Sequence, residues 1–350
     1  MKLRLATASQ LSWSWGLAWL SLAIKANIEK RKARGYGIVN NILAIVNEIP
    51  LSFRKIQAGL LLRQAMLING ILFNSEAWHN ISSKDVMVLE KVDQALLRGL
   101  IGAHSKTPVE ALFLETNSVP LRYILKCRRI MYLHNILKKE ETELVRKIYQ
   151  AQKDDPLPGD FCEIVRDDMK DIGLDIPDCQ ISLYTKQKFK ALVKNKISEA
   201  AFKYLKDLQT NHSKMQAINY IKFKLQDYLS SPLFNNESRN LLFRLRTRTV
   251  IGIKSDFKGI YSDTTCPLGC GQSDTLQNIL SCTVLKRYHT STCISSDTKY
   301  EHIFSDDTKK QKSITELFRQ LLEIRNEILS QPVAARTGPM HDGSSTTVLQ

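Results

Sequence analysis

Apolar residues recur at three- and four-residue spacing along most of the chain, and this spacing is typical of amphipathic helices. Between positions 86 and 100 one apolar face is complete enough to predict a helix with defined ends. Ser83 is its expected N-cap and Gly102 its expected stop, because serine accepts a backbone hydrogen bond at a helix start and glycine tolerates a left-handed turn. The apolar positions are Val86, Leu89, Val92, Leu96, Leu97 and Leu100.

Prolines mark the starts of the other helices predicted in the first half of the chain. A broad apolar stripe at 60–73 follows Pro50. Pro108 and Pro120 open two more helices, a short one through position 114 and a longer one through position 137, since proline fits the first helical turn. Strand-type alternation is scarce, so the fold is predicted to be mainly α.

The second half of the chain is predicted to hold shorter helices separated by breaks. The run Asp154-Asp-Pro-Leu-Pro-Gly159 has the composition of a turn or linker. A second interruption is expected at Ser230-Ser-Pro232, and the Cys-bearing stretch at 252–296 has no clear periodicity. Helices are predicted at 161–172, across 186–229, at 240–250 and at 313–329.

Charge adds a candidate partner to this helical pattern. The chain has 50 Lys and Arg against 35 Asp and Glu, which gives a net charge of +15. Most of the surplus lies at 186–258, whose own balance is +11. An excess this large favours a polyanion such as RNA or DNA. Any single lysine there is better explained as part of a solvated helix face, but the cluster as a whole favours a phosphate-contacting surface. The lysines chosen as phosphate contacts are Lys186, Lys188, Lys190, Lys194 and Lys196.

Arginines and aromatic residues extend the predicted binding region. The arginines alternate with leucine and phenylalanine, so that one helix face can anchor while the other meets a phosphate backbone. The aromatic residues between the lysines can stack on bases, but at helical spacing they are more often core residues. The arginines are Arg239, Arg244, Arg246 and Arg248, and the aromatic residues are Phe189, Phe202, Tyr204, Tyr220, Phe223 and Tyr228.

Four of the seven cysteines lie close together near the C-terminus and form a candidate metal site. In Cys266-Pro-Leu-Gly-Cys270 a tight turn can direct two thiolates at one Zn²⁺, and Cys282 is at a distance compatible with a third ligand. His289 is the chosen fourth ligand, with Cys293 as its alternative. Reduced cysteines without metal explain the same pattern equally well.

Three phrases resemble the region that follows the palm in reverse transcriptases of non-LTR (LINE-like) retrotransposons. They are Lys32-Ala-Arg-Gly-Tyr-Gly-Ile-Val-Asn40, Leu72-Phe-Asn-Ser-Glu-Ala-Trp-His79 and Lys106-Thr-Pro-Val-Glu-Ala-Leu112. The order of these phrases, followed by the cysteines, carries the resemblance, which extends from Ala26 to Leu329.

The resemblance implies a helical thumb that grips a template–primer duplex of RNA and DNA, followed by a basic linker and a Cys-Cys-His-Cys zinc knuckle. Asn278 stands where the family has its third knuckle ligand, and asparagine is a poor ligand for zinc. The implied divisions are an apolar leader at 1–24, the thumb at 25–153, the linker at 154–258, the knuckle at 259–296, a C-terminal helix at 297–330 and a disordered tail at 331–350.

No counterpart of the family's catalytic residues is found. Nucleotidyl transfer needs carboxylates that hold two divalent metals, and Phe304-Ser-Asp-Asp307 is the one formal match. The lysine-rich residues that follow cannot form the apolar second strand of such a hairpin, so an N-capping turn before the last helix explains these aspartates better. The chain is therefore predicted to be a truncated fragment that is inactive alone, with a palm-bearing polymerase chain as a conceivable partner.

A second interpretation is a non-enzymatic helical protein whose basic surface binds acidic proteins or membrane, with the leader as an anchor. The leader has the polarity of a signal peptide, but its apolar run is short for a bilayer and no small-residue cleavage site follows. The sparse cysteines fit a reducing compartment, so the predicted location is nuclear or cytoplasmic. A third interpretation is a relic without function.

Overall fold

The computed structural model describes residues 8–78, 81–257, 260–288 and 299–331, with side chains from Lys25 onward except at Ala77 and Tyr288. The protein is mainly helical, with 69% of the described residues in helices. Within the described ranges the β pairing consists of an isolated bridge between Thr265 and Ser273. The chain divides into two compact units, Met1–Asn236 and Glu237–Gln350. The predicted division at Asp154 falls inside the first unit.

The first unit is built from eleven named helices and one π-helical segment in the described residues. A short 3₁₀ turn at Ser75–Ala77 precedes the fourth helix. The helices are α1 (Ala8–Glu48), α2 (Ser52–Leu62), the π-helical turn Arg63–Ile68, α3 (Asn69–Ile71), α4 (Ser83–Ile101), α5 (Val109–Thr116), α6 (Leu121–Leu137), α7 (Leu144–Asp154), α8 (Phe161–Asp171), α9 (Asp178–Leu183), α10 (Lys186–Thr210) and α11 (Asp227–Ser230).

One core of the first unit lies where α1 packs on α4. Gly35 permits the close approach of the two helices, because a Cβ at this position would lie 2.8 Å from a methyl carbon of Val92. Ile42, Val92 and Leu96 are fully buried in this core. Gly35 belongs to the first of the three phrases that carry the family resemblance. Thr107 and Leu112 of the third phrase are also buried, so these residues of the first and third phrases contribute to packing.

A second core lies between α6, α8 and α10. Phe189 of α10 is fully buried and stacks on His134 of α6, with ring centroids 4.8 Å apart. Leu133 and Val165 complete the contact from α6 and α8. This core fixes α10 on the remainder of the unit.

The ends of the helices follow the sequence signals closely. Gly102 has a left-handed φ of 60° at the end of α4, as predicted. The N-cap of α4 is Ser82, whose side chain accepts from the Asp85 amide, so the prediction of Ser83 is wrong by one residue. Pro108 and Pro120 immediately precede α5 and α6. Helix α7 ends at Asp154 and α8 begins at Phe161, which confirms the predicted interruption of helix at 154–159.

Helix α10 differs from the prediction of several short helices across 186–229. It runs without interruption to Thr210, because its buried residues recur every four positions and keep a single apolar stripe facing the core. A turn-rich segment then leads to α11. The stripe consists of Phe189, Val193, Ile197, Ala201 and Leu205.

The second unit holds four more α-helices among its described residues. Asp307 caps the last of them, since its carboxylate accepts hydrogen bonds from the amides of Lys309 and Lys310. This confirms the N-capping interpretation of the Asp-Asp pair. The helix predicted at 240–250 begins four residues earlier than expected. The helices are α12 (Asn236–Arg246), α13 (Leu276–Ser281), α14 (Thr283–Tyr288) and α15 (Thr308–Ser330), with 3₁₀ turns at Lys254–Phe257 and Tyr300–Phe304.

Candidate nucleic-acid surface and metal cluster

The five predicted lysines of α10 lie on the solvent side of the first unit. Lys186, Lys188, Lys190 and Lys194 are exposed, and no ion pair involves them within the described part of the chain. Lys196 is less exposed and pairs with Glu199 at 3.0 Å. Four unpaired ammonium groups on one helix therefore give α10 a positive surface.

Three of these lysines share one line along the helix. Lys186, Lys190 and Lys194 are spaced by four residues, so their side chains project from the same face. We call these three residues the lysine stripe. Consecutive members are about 6 Å apart along the axis at the usual helical rise.

The lysine stripe borders α6. Burial raises the pKa of the Cys127 thiol on α6, while the positive charges of Lys194, Arg128 and Lys190 act in the opposite direction. Lys190, Lys194 and Arg128 are therefore each close enough to Cys127 for their charges to act on its thiol. Arg128 also donates to the carbonyl of Leu72 and to Asn69 Oδ1 at 2.8 Å, which holds its guanidinium in place.

A cleft between α4 and α6 also contains cations, but each is matched by an acidic group. Arg122 binds Glu90 at 2.6 Å, and Arg129 binds Asp168 at 2.6 Å. The charges of this cleft are balanced, so it lacks the surplus that the lysine stripe has.

The four predicted arginines are not brought to one surface. Arg239 and Arg246 are buried in the second unit, and Arg246 donates to the carbonyl of Ile303 at 2.9 Å. Spaced by seven residues, both lie on the core side of α12. They are thus unavailable to a phosphate backbone, which corrects the prediction for these two residues. Arg244 and Arg248 are half-buried.

Most of the aromatic residues between the lysines belong to the core. Phe189, Tyr220 and Tyr228 are buried. Phe202 and Phe223 stack on each other with ring centroids 5.6 Å apart. Tyr204 packs on Tyr123 and lies under the Arg122 guanidinium. These aromatic residues therefore serve packing rather than stacking on bases.

The candidate metal site lies in the second unit and is assembled from a tight hairpin and a short helix. The hairpin turns at Gly269 and Gly271, whose φ values of 78° and 77° favour glycine. Cys266 donates its backbone N–H to the Gln272 carbonyl at 2.8 Å, which closes the hairpin that carries Cys266 and Cys270. Cys282 follows directly after α13.

The three thiols converge. The Sγ atoms of Cys266, Cys270 and Cys282 all lie within 4.8 Å of one another. Cys266 and Cys282 are buried, whereas Cys270 is half-buried. This cluster could hold a metal ion.

Asn278 lies against the cluster, where the resemblance placed the missing histidine. Its Nδ2 atom donates to Cys270 Sγ at 3.5 Å, and the residue is buried. His289 and Cys293, the predicted fourth ligand and its alternative, lie outside the described residues. The described ligand set is thus three sulfurs with a carboxamide beside them.

The environments of two neighbouring thiols differ in their effect on acidity. Burial raises the pKa of the Cys266 thiol to about 11. At Cys270 the desolvation that would raise the pKa is outweighed by hydrogen bonds from the Asn278 side chain and the Gln272 backbone, so its pKa is lowered. Of these two thiols, Cys270 is therefore the one that more readily becomes a thiolate.

The hairpin is held to α15 by a buried ion pair that the sequence interpretation missed. Arg325 Nη2 donates to both carboxylate oxygens of Asp274 at 2.9 Å. The Asp274 carboxylate also accepts from the Lys254 amide at 2.9 Å. The sequence feature that indicates a buried Arg325 is its position between Leu321 and Ile328, on the apolar face of the last helix.

Comparisons with protein-family models, curated proteins and solved structures find no match to this chain. The likeness to reverse transcriptases therefore rests on the local phrases and their order. Among the described residues, no helix has both the length and the apolar character needed to cross a bilayer.

Proposed function

We propose that the first unit binds nucleic acid through the lysine stripe, as a catalytically inactive C-terminal fragment of a non-LTR reverse transcriptase. The observation that carries this proposal is the line of unpaired, exposed lysines on α10. Ammonium groups that neutralise phosphates release counterions, which supplies affinity without sequence readout.

The arrangement suits contact with a phosphate backbone rather than readout of bases. The aromatic side chains near the stripe are engaged in the core or with each other. Lysine acts on phosphate as a point charge and imposes little geometry. A template–primer duplex of RNA and DNA is the partner that the family resemblance implies.

The test compares two triple variants that remove the same charge. Lys186→Ala, Lys190→Ala and Lys194→Ala together remove the lysine stripe. A matched triple replaces Lys84, Lys91 and Lys147, which are exposed elsewhere on the first unit. Binding of each full-length variant to a fluorescent RNA–DNA hybrid is measured by anisotropy at several salt concentrations.

The stripe variant is expected to bind more weakly, with a salt slope smaller by about 3, one for each phosphate contact. The matched triple is expected to keep a slope close to that of the native chain. Equal losses of affinity in both triple variants would show that binding depends only on the net charge of the chain. Anionic lipid vesicles serve as a second ligand, and a stripe-dependent affinity for vesicles above that for the hybrid would favour the membrane interpretation.

The cysteine cluster adds a metal site to this proposal. Three thiolates at this spacing suit a thiophilic ion, and zinc is the ion that the family resemblance implies. Cys266, Cys270 and Cys282 are the ligands that the resemblance assigns to this ion, and among the described residues no fourth sulfur or imidazole nitrogen joins them.

A further inference from the structure

The composition of the cysteine cluster limits which ions it can satisfy. Structural zinc sites are almost always tetrahedral, with four nitrogen or sulfur ligands. Among the described residues three sulfurs converge, and the neighbouring polar group is the carboxamide of Asn278. A carboxamide oxygen is a hard, weak donor beside thiolates.

We propose that the cluster is a three-sulfur site that selects ions satisfied by three thiolates, trivalent arsenic and Pb²⁺, over Zn²⁺. Both ions carry a lone pair that occupies the remaining direction, so they need no fourth ligand. Soft thiolates favour such ions. The proposal does not depend on nucleic-acid binding, since the lysine stripe lies in the other unit.

Asn278 supports a bound thiolate without being a ligand. Its Nδ2 atom donates to Cys270 Sγ at 3.5 Å. Hydrogen bonds of this kind orient a metal ligand and tune its basicity. The Thr275 hydroxyl accepts from the Asn278 amide at 3.0 Å and caps α13, which fixes the position of Asn278 on the helix.

The site is held in shape by contacts that do not involve the sulfurs. Asp274 lies in the hairpin between Cys270 and Asn278 and forms the buried ion pair with Arg325 of α15. Leu276 and Ile279 of α13 are buried. Because the backbone is already placed, little ordering is needed when three sulfurs bind one ion.

Capture of arsenite balances without an oxidant. Arsenous acid, As(OH)₃, reacts with the three thiols to form three As–S bonds and release three water molecules. Each water takes one hydroxide from arsenic and one proton from a thiol. Arsenic stays trivalent and no sulfur is oxidised.

The first experiment adds arsenite to the reduced full-length chain and counts bound arsenic by native mass spectrometry. One arsenic per chain is expected, with Cys266, Cys270 and Cys282 protected from maleimide. Cys270→Ser should lose tight arsenic binding, whereas Cys179→Ser, at an exposed cysteine outside the cluster, should retain it. No arsenic uptake, or uptake that survives Cys270→Ser, would overturn the proposal. Circular dichroism confirms that each variant is folded.

The second experiment tests the fourth ligand. Asn278→His is expected to raise zinc affinity by roughly tenfold or more, because it supplies a fourth good ligand. His289→Ala is expected to leave zinc affinity unchanged. A loss of roughly tenfold in zinc affinity on His289→Ala would reveal a four-ligand zinc site and contradict the three-sulfur assignment. Zinc is measured by competition with a chromophoric indicator.

Discussion

At the scale of single residues, buried arginine–carboxylate pairs join elements that are distant in sequence. Each pair is bidentate or nearly so and is shielded from water, so both partners depend on each other for compensation of their charge. A guanidinium left alone in such a place would be costly. The pairs are Arg63 with Asp93, Arg129 with Asp168 and Arg325 with Asp274.

Removing Arg325 should destabilise the second unit strongly. Arg325→Met leaves the Asp274 carboxylate buried without its partner, and loss of one partner of a buried pair costs about 3–5 kcal/mol. Arg319→Met on the same helix is the matched control, because Arg319 pairs with Glu316 and Glu323 in an exposed position. Exposed pairs contribute up to about 1 kcal/mol. Urea unfolding of both variants measures the difference.

A double variant separates the cost of an unpaired charge from the cost of lost packing. Arg325→Met combined with Asp274→Leu should recover part of the stability lost in the single variant, because no buried charge remains. If the double variant is less stable than Arg325→Met, the carboxylate is not the cause of the loss.

The sequence predicts some residues at helix ends correctly, but it does not predict which arginines are buried. Gly102 and Asp307 were recognised because glycine at a helix end and aspartate at a helix start are strong local signals. Ser82 and Ser83 are adjacent and chemically equal, so only the backbone angles decide which one caps α4. The sequence predicts Arg239 at the surface, because arginine is mostly exposed in proteins, yet tertiary packing buries it.

At the scale of elements, α10 connects the core of the first unit to its positive surface. Phe189 faces the core, while Lys186, Lys190 and Lys194 face solvent. The helix can present its lysines in a fixed line only if its apolar face stays docked on α6. Binding and stability are therefore linked through one helix.

Phe189→Ala should destabilise the first unit by about 3–5 kcal/mol, because it removes a fully buried ring and leaves a cavity beside His134. Lys188→Ala, the neighbouring exposed position, should change stability by less than about 0.5 kcal/mol. Thermal unfolding of the two variants compares them. Similar midpoints for both would mean that α10 is not docked through this ring.

Element types were easier to predict than element extents. The lysine-rich stretch across 186–229 predicts helix but not its extent, and α10 runs as one helix from Lys186 to Thr210. The Pro-Gly turn predicts that Cys266 and Cys270 lie together, and the spacing to Cys282 is compatible with a third ligand. The bracing of that turn by Asp274 could not be foreseen, because its partner is distant in the chain.

At the scale of the whole molecule, the chain consists of two helical units with different chemical features. The first carries the lysine stripe and the second carries the thiol cluster. The three phrases that resemble a reverse transcriptase lie in the first unit, and those of their residues named above pack its core. The resemblance therefore concerns residues that pack the core. The proposed nucleic-acid binding depends on the exposed lysines of the lysine stripe.

The salt dependence of binding tests the central claim most directly. The native full-length chain is titrated with a labelled RNA–DNA hybrid at increasing salt, and the logarithm of affinity is plotted against the logarithm of salt concentration. We predict a straight line with a slope of about −3 or steeper, as expected for three or more neutralised phosphates. A flat line, or no binding at low salt, would contradict the claim that this surface binds nucleic acid.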